Sequence, residues 1–167
     1  KEDLGSVHAC TVKGKVDYHV AKGSKCEKVT NGELLELPCD ILVLSAMENQ
    51  VNEKNAGKVK AKMILELANG PVTTEADDIL EKRGIPIIPD ILANAGGVTV
   101  SYFELVQNQM NYYWTSEEIQ DRLKIIMVDA WKGVSEIQAK YKCTYRMAAF
   151  IRTLTRLAQM AKIRGRV

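Results

Sequence analysis

The sequence has few of the residues that mark specialised classes of protein. Its 167 residues include 4 cysteines, none of them in a Cys-x-x-Cys pair, and 2 histidines. His8 and Cys10 lack a second pair of ligands, so we expect no metal site and no disulfide framework. Unpaired cysteines are typical of the reducing cytosol, and we expect a cytoplasmic protein. No run approaches the ~20 apolar residues of a membrane helix, so we expect no membrane contact.

The sequence also lacks an excess of charge of either sign. The 23 basic and 21 acidic residues leave a net charge of +2 and are interspersed along the chain. Such a balance provides no strong field to attract nucleic acid, and we expect no nucleic-acid partner. The hydrophobic content of 46% is ordinary for a globular protein, and the length suffices for one domain with a core rather than for two.

Three short apolar runs dominate the middle of the chain: Ile41–Leu44, Met63–Leu65 and Ile85–Ile88. Runs without polar alternation predict strands that are covered on both faces, as in parallel sheets. Residues 74–84 separate the second run from the third and carry helix signals in order: a hydroxyl, then acids, then bases and a glycine. A strand, a helix and a second strand that follow one another within residues 63–88 predict an α/β fold with right-handed crossovers.

The segment before these runs is predicted from its composition and from a helix cap. Residues 7–30 mix Val, Thr and Tyr with Gly and Lys, which favours short strands or a hairpin. Thr30 and Glu33 form a capping-box pattern, which predicts a short helix before Pro38. Residues 1–40 are therefore expected to hold short strands and one short helix.

The last third of the chain is predicted to be helical. Thr115 and Glu118 form a second capping-box pattern, after which apolar residues recur at intervals of three and four. A second amphipathic helix is predicted near residues 145–163. The apolar stripes of both helices need a covering surface, supplied either by the sheet or by a neighbouring domain.

Ligands of open α/β sheets bind beyond the carboxyl ends of the strands, so the loops after the three apolar runs are candidate sites. These loops are Ser45–Asn49, Ala68–Pro71 and Pro89–Gly97. Each is rich in small residues and contains an asparagine, whose amide can both donate to and accept from a ligand. A turn explains Asn69 and a helix cap explains Asn94 equally well, but three such loops at corresponding strand ends favour a shared ligand site.

Residues 89–104, PDILANAGGVTVSYFE, closely resemble the signature segment of the glutamate dehydrogenases, in the glutamate, leucine, phenylalanine and valine dehydrogenase family. Upstream, ELANGP at residues 66–71 and EAD at residues 75–77 are similar to the family's E-G-A-N-G-P and E-A-D segment. SAMEN at residues 45–49 is similar to its A-A-x-E-N loop. The resemblance runs from about residue 30 to the C-terminus.

The resemblance implies that the chain is the C-terminal part of an NAD(P)-binding domain, with an incomplete Rossmann-like parallel sheet followed by long helices. It implies a single partial domain over residues 1–167. Residues 1–40 match the family poorly, residues 41–97 would form a parallel βαβ half of the cofactor domain, and residues 98–167 would form the C-terminal helices. The family also implies an N-terminal substrate domain and a homo-oligomer.

The resemblance also carries site roles to seven positions. The expected cofactor-binding residues are Ser45, Ala46, Glu48, Asn69 and Asn94. The first four would line the path of the dinucleotide near the nicotinamide-side ribose, and the last would bond the nicotinamide carboxamide. The expected substrate-binding residues are Val98 and Ser101, of which Ser101 would donate a hydrogen bond to the side-chain carboxylate of the amino acid.

The chain departs from the family pattern in several ways. Leu67 stands where the family usually has glycine, and Ser45 where it usually has alanine, which bears on how closely the cofactor approaches the backbone. No Gly-x-Gly-x-x-Gly occurs, so we expect no pyrophosphate site of that kind. The family's catalytic lysine and aspartate belong to its substrate domain. We therefore expect no catalytic residue here, an inactive isolated chain and, since it opens on Lys1, a fragment or processed product.

The resemblance implies oxidative deamination of L-glutamate to 2-oxoglutarate and ammonia, with NAD or NADP, in the complete enzyme. Ser101 within VTVSYFE favours glutamate, because this segment diverges in the leucine, phenylalanine and valine dehydrogenases. Two alternatives stay open. One is a free-standing, non-catalytic Rossmann-like interaction module, and the other is a segment of a leucine, phenylalanine or valine dehydrogenase.

Overall fold

The computed structural model of the chain describes residues 29–165, together with two short strands at Thr11–Val12 and Lys15–Val16. It divides the chain into two units, residues 1–34 and residues 35–167, and each unit is described by itself. The single partial domain that the resemblance implies stays a prediction.

In the first unit, β1 (Thr11–Val12) pairs with β2 (Lys15–Val16) in the antiparallel direction. This pairing agrees with the hairpin predicted for residues 7–30. Most of that segment lies outside the described residues, as do His8 and Cys10.

Helix α1 (Asn31–Leu35) begins at the predicted capping box. The Glu33 backbone N–H donates to Thr30 Oγ1 at 3.2 Å, and the Thr30 backbone N–H donates to Glu33 Oε2 at 2.7 Å. The two bonds satisfy N–H groups that the start of a helix leaves without partners. The bond from the Thr30 backbone, together with one from its hydroxyl, holds the pKa of Glu33 below its ordinary value. The short helix predicted before Pro38 is confirmed.

Three parallel strands form the sheet of the second unit, in the order β3 (Ile41–Leu44), β4 (Met63–Glu66) and β5 (Ile87–Ile88). The register pairs Leu44 with Glu66, so β3 and β4 end together, and β5 runs parallel beside β4. The three strands therefore end at the same side of the sheet, which we call the carboxyl edge. The predicted α/β fold with an incomplete parallel sheet is confirmed.

Different structures connect the strands. A short 3-10 helix (Ala56–Lys58) lies between β3 and β4, whereas α2 (Thr74–Lys82) lies between β4 and β5. Thr73, one residue before the predicted start, caps α2 by accepting a hydrogen bond from the Ala76 N–H at 3.3 Å. The strand, helix and strand unit predicted around residues 74–84 is confirmed.

Four helices follow the sheet in the described part of the chain: α3 (Asp90–Ala93), α4 (Ala95–Met110), α5 (Ser116–Tyr141) and α6 (Tyr145–Ile163). Helix α5 begins at the second predicted capping box, and α6 has the predicted bounds. Within residues 29–165, no helix has an apolar stretch long enough to cross a lipid bilayer.

The two faces of β4 pack against different elements, and one is buried while the other is partly buried. Ile64 faces one side and belongs to a hydrophobic cluster with Val51 and with Leu80 of α2. Leu65 faces the other side and packs against a cluster that contains Val134 of α5 and Ala148 of α6. The sheet is therefore a middle layer between α2 and the pair of helices α5 and α6.

One face of β3 is more open than predicted. Its apolar run predicts cover on both sides, yet Ile41 and Val43 are 49% and 46% exposed. Alternate side chains of a strand face opposite ways, and the cluster formed with α5 and α6 draws its strand residues from β4 and β5. The prediction of two covered faces is therefore wrong for β3.

The apolar stripes of α5 and α6 are buried only where the two helices meet the sheet. Val134 and Ala148 are buried, whereas Ile126 of α5 and Leu154 of α6 are 43% and 63% exposed. With 26 residues, α5 spans about 39 Å, whereas strands of four residues span only about 13 Å. The sheet therefore covers one end of each helix.

Candidate ligand site at the carboxyl edge of the sheet

The three asparagine-containing loops meet at the carboxyl edge and are hydrogen-bonded to each other. The Asn49 N–H donates to the Gly70 carbonyl at 2.9 Å, which joins the first loop to the second. The Gly70 N–H donates to Asp90 Oδ2 at 2.9 Å, which joins the second loop to the third. Asn94 Nδ2 also donates to Asn69 Oδ1 at 2.8 Å. The prediction that these loops share one edge of the sheet is confirmed.

The loops surround an open cavity of about 510 Å³, a size typical of small-molecule sites. Its lining comes from the three loops and the first turn of α4: Ala46, Glu48, Leu67, Ala68, Asn69, Asn94 and Val98. Two side-chain amides and one carboxylate, that of Glu48, supply the polar side chains of this lining. Within residues 29–165, no group of three or more histidine, cysteine or acidic residues is arranged to hold a metal ion.

Five of the seven predicted site residues line this cavity: Ala46, Glu48, Asn69, Asn94 and Val98. Ser45 and Ser101 do not. Ser45 is exposed just after the end of β3, and Ser101 is exposed on α4, one turn after the last of the five. Leu67, which departs from the family pattern, is part of the lining. The binding roles of all seven residues stay predictions.

The amide groups of Asn69 and Asn94 have a defined orientation. Asn94 Nδ2 donates to the Leu67 carbonyl at 3.3 Å as well as to Asn69 Oδ1. A carbonyl oxygen only accepts, so Asn94 has to turn its nitrogen toward Leu67, and Asn69 has to present its oxygen. Asn94 Oδ1 and Asn69 Nδ2 have no hydrogen-bond partner among the described residues. Among the described residues, the pair therefore leaves one acceptor, Asn94 Oδ1, and one donor, Asn69 Nδ2, available to a ligand.

The structure also tests the two simpler explanations of these asparagines, a turn for Asn69 and a helix cap for Asn94. Asn94 stands at the N-cap position of α4, but its side chain makes no capping hydrogen bond and contacts Leu67 and Asn69 instead. Asn69 does stand in a turn, because Gly70 beside it has a left-handed φ of 55°. The turn accounts for the glycine at position 70, while the side chain of Asn69 contacts Asn94 of the third loop.

Val98 and Ser101 lie on the same face of α4, because residues three apart are neighbours on a helix surface. Val98 is 71% exposed. Ser101 Oγ donates to the Gly97 carbonyl of its own helix at 3.3 Å. An exposed hydroxyl with one long intrahelical bond can turn toward a ligand instead, since the carbonyl keeps its helical partner.

A partly buried group of charges adjoins the loops. The guanidinium of Arg146, on α6, contacts Glu66 Oε1 at 2.8 Å, Asp77 Oδ2 at 2.6 Å and Asp90 Oδ1 at 3.4 Å. The Glu66 side chain is fully buried, and a buried carboxylate is costly unless it is paired. We call these four residues the arginine cluster.

Arg146 is a permanent cation in this cluster. Burial lowers the pKa of its guanidinium, but hydrogen bonds and charges from Glu66 and Asp77 outweigh burial and raise that pKa above its ordinary value. The side chain therefore stays charged throughout the physiological pH range. Arg146 therefore contributes a fixed positive charge to the arginine cluster.

The predicted site residues do not include the arginine cluster, although two local signals were present. Arg146 lies in the first turn of α6, where the helix dipole disfavours positive charge. Glu66 ends a strand that is otherwise apolar. Each residue therefore needs a partner of opposite charge, but no local pattern indicates which one.

The fold and the cavity together define a class of protein: a Rossmann-like α/β unit with an open cavity at the carboxyl ends of parallel strands, where such folds bind their ligands. The chain belongs to the Glutamate/Leucine/Phenylalanine/Valine dehydrogenase family, whose family model matches residues 4–165. The family resemblance found in the sequence is confirmed.

Curated relatives in this family are longer than the chain. It is 46% identical over 137 residues to the catabolic NAD-specific glutamate dehydrogenase of Bacillus subtilis. It is 48% identical over 141 residues to the glutamate dehydrogenase of Thermotoga maritima. These matches cover 82% and 84% of the chain but 32% and 34% of the relatives. The chain thus spans about a third of the length of the curated relatives it matches.

Solved structures share the fold. The glutamate dehydrogenase of Peptoniphilus asaccharolyticus matches with a TM-score of 0.70 and 42% identity, over 74% of the chain and 31% of that protein. The hetero-hexameric glutamate dehydrogenase of Thermus thermophilus, in its Leu-bound form, matches with a TM-score of 0.79 and 29% identity. That match covers 86% of the chain and 35% of the other protein.

The left-handed backbone of Gly70 gives a testable prediction. A Cβ added there would meet nothing within 4 Å, so Gly70→Ala tests the cost of a φ of 55° without a steric clash. We expect this substitution to lower the free energy of unfolding by about 1–2 kcal/mol, because side chains disfavour this conformation. Urea unfolding of the chain, followed by circular dichroism, measures the change.

Gly57→Ala is the matched control. Gly57 also has open space around the added Cβ and lacks a left-handed φ. We expect this substitution to leave the stability unchanged or to raise it by about 0.4–1 kcal/mol. Equal losses for the two variants would contradict the role assigned to the Gly70 turn.

Proposed function

We propose that residues 35–167 form the nicotinamide-side half of the cofactor domain of a glutamate dehydrogenase, and that the chain is the C-terminal part of that enzyme. The complete enzyme would oxidise L-glutamate to 2-oxoglutarate and ammonia in the cytoplasm, with NAD or NADP as the oxidant. The cofactor would supply the hydride chemistry, and the protein would bind and orient its nicotinamide ring.

The paired amides of Asn69 and Asn94 carry this proposal. A nicotinamide carboxamide has one NH₂ group that donates and one carbonyl that accepts. Asn94 Oδ1 suits the first and Asn69 Nδ2 suits the second, and both residues line the cavity. Asn94 would thus bond the carboxamide nitrogen and Asn69 the carboxamide oxygen, and Asn69 would also lie near the nicotinamide-side ribose.

The other predicted cofactor residues fit the same ligand. Ala46 and Glu48 line the cavity from the first loop, where a small side chain leaves room for a sugar and a carboxylate can accept from ribose hydroxyls. Ser45 precedes them at the end of β3 and would lie further along the dinucleotide path. The names of several relatives, including the one from Bacillus subtilis, specify NAD.

The exposed face of α4 would take the amino acid substrate. Val98 lines the cavity, and Ser101 follows it one turn later on the same face. A hydroxyl that donates to a side-chain carboxylate forms a charge-assisted hydrogen bond, which favours a dicarboxylic amino acid over an apolar one. This chemistry supports glutamate as the substrate.

The chain would depend on partners for catalysis. The catalytic lysine and aspartate would come from an N-terminal substrate domain, and the complete enzyme would be a homo-oligomer. The isolated chain would therefore bind part of the cofactor without turning over glutamate.

Nicotinamide mononucleotide tests the cofactor site without the rest of the enzyme. We expect the chain to bind this half of the cofactor and to show shifts of the Asn69 and Asn94 side-chain amide signals in ¹H–¹⁵N NMR spectra. Asn94→Ala should weaken binding by about 1 kcal/mol, or about fivefold, because one hydrogen bond is lost. The dissociation constant is obtained by titration.

Two controls make this experiment specific. Adenosine monophosphate, the other half of the cofactor, should not shift the same signals. Asn108→Ala removes an exposed amide on α4 that accepts from Tyr113 Oη and does not line the cavity, and it should leave the dissociation constant unchanged. Absence of nicotinamide mononucleotide binding, or equal binding by Asn94→Ala, would refute the proposed site.

Ser101→Ala tests the substrate side in the complete enzyme. We expect kcat/KM for glutamate to fall by an amount equivalent to about 1–3 kcal/mol, because the carboxylate loses a charged hydrogen bond. Ser116→Ala, which removes another exposed helical hydroxyl, should leave kcat/KM unchanged. Equal values for wild type and Ser101→Ala would remove Ser101 from the substrate site, and a preference for leucine over glutamate would favour the alternative substrate class.

A further inference from the structure

Arg146 connects helix α6 to the loops of the cavity through two of its carboxylate partners. Glu66 Oε2 accepts the Asp90 N–H at 2.9 Å, and Asp90 Oδ2 accepts the Gly70 N–H at 2.9 Å. The Asp90 carbonyl accepts the Asn94 N–H at 3.0 Å. Two of the three carboxylates that contact the guanidinium therefore also bind the backbone of the second and third loops.

The guanidinium keeps these two carboxylates close together. The Glu66 side chain is fully buried and the Asp90 side chain is 16% exposed, so water screens their mutual repulsion poorly. A shared cation offsets that repulsion. Without it, this repulsion would be uncompensated at the Asp90 carboxylate, which accepts the Gly70 N–H of the second loop.

We propose that Arg146 is a positioning residue for the ligand cavity and holds the amides of Asn69 and Asn94 at the spacing that a nicotinamide carboxamide requires. This inference rests on the function proposed above for the cavity. It adds α6, which contributes no lining residue, to the elements that determine binding of the cofactor.

A comparison of arginine with lysine at position 146 distinguishes the effect of the guanidinium geometry from the effect of its charge. Its planar fork reaches three carboxylates through three different nitrogens, Nε, Nη1 and Nη2. A lysine ammonium carries the same charge at a single point on a flexible stem and cannot reproduce this fork. Arg146→Lys therefore retains the cation and removes the fixed arrangement.

Arg152→Lys is the matched control, because Arg152 also lies on α6 but holds only α5. Its guanidinium donates to Asp129 Oδ2 at 3.0 Å and to the carbonyls of Asp129 and Ala130 at 2.9 and 3.0 Å. Both substitutions thus loosen an ion pair of the same helix. Of the two substitutions, only Arg146→Lys changes an ion pair with a residue of the cavity loops.

The test compares the chain of residues 1–167 with its variants. Urea unfolding curves first establish that each variant is folded in the buffer without urea, and two quantities are then measured in that buffer. The first is the side-chain amide NMR signals of Asn69 and Asn94 without ligand. We expect Arg146→Lys to shift them and Arg152→Lys to leave them in place. The second is the dissociation constant for nicotinamide mononucleotide, which Arg146→Lys should raise roughly tenfold, because misplaced contacts lose binding steeply.

Asp90→Asn provides a second route to the same result if Arg146→Lys is unstable. It keeps the shape of the side chain and removes the charge that Arg146 contacts, so both readouts should change in the same direction. The inference is wrong if Arg146→Lys and Asp90→Asn leave both asparagine signals where the Arg152→Lys control leaves them. If the signals shift but the parent chain does not bind nicotinamide mononucleotide, the positioning role stands and the proposed function fails.

Discussion

A carboxylate buried at the end of a central strand has to be neutralised, and Arg146 does so for Glu66. The two residues are 80 positions apart, so their contact fixes α6 against the carboxyl edge of the sheet. Removing one partner of a buried ion pair typically costs about 3–5 kcal/mol, because the other charge stays buried without compensation. The same guanidinium contacts Asp77 of α2 and Asp90 of the third loop, so one side chain ties three elements to the strand.

The ion pairs of Arg146 explain why a cavity open to solvent can have a defined geometry. The apolar clusters on the two faces of β4 set the layers, and the second cluster includes Leu92 of the third loop. The first and second loops, Ser45–Asn49 and Ala68–Pro71, contribute no residue to either cluster. Hydrogen bonds through Gly70 and Asp90 join the loops and lead back to the ion pairs. Asn94 Nδ2 donates to Asn69 Oδ1 at 2.8 Å, which leaves Asn69 Nδ2 as a donor and Asn94 Oδ1 as an acceptor. The carboxamide of the proposed nicotinamide ligand needs one of each.

Local signals in the sequence sufficed for most of the fold. Capping boxes gave the starts of α1 and α5, and apolar runs gave the three strands, because caps and periodicity act within a few residues. Burial of β3 and the partners of Arg146 depend on residues far apart in the chain, so no local pattern contains them. The meeting of the three loops was predictable because parallel strands end at one edge, whereas the contact between Asn69 and Asn94 required coordinates.

A crystal structure of the chain with nicotinamide mononucleotide would show whether these loops together hold a nicotinamide. We expect a carboxamide whose nitrogen lies about 3 Å from Asn94 Oδ1 and whose oxygen lies about 3 Å from Asn69 Nδ2. A ligand bound elsewhere on the chain, or bound at the carboxyl edge with its carboxamide in contact with neither asparagine, would contradict it.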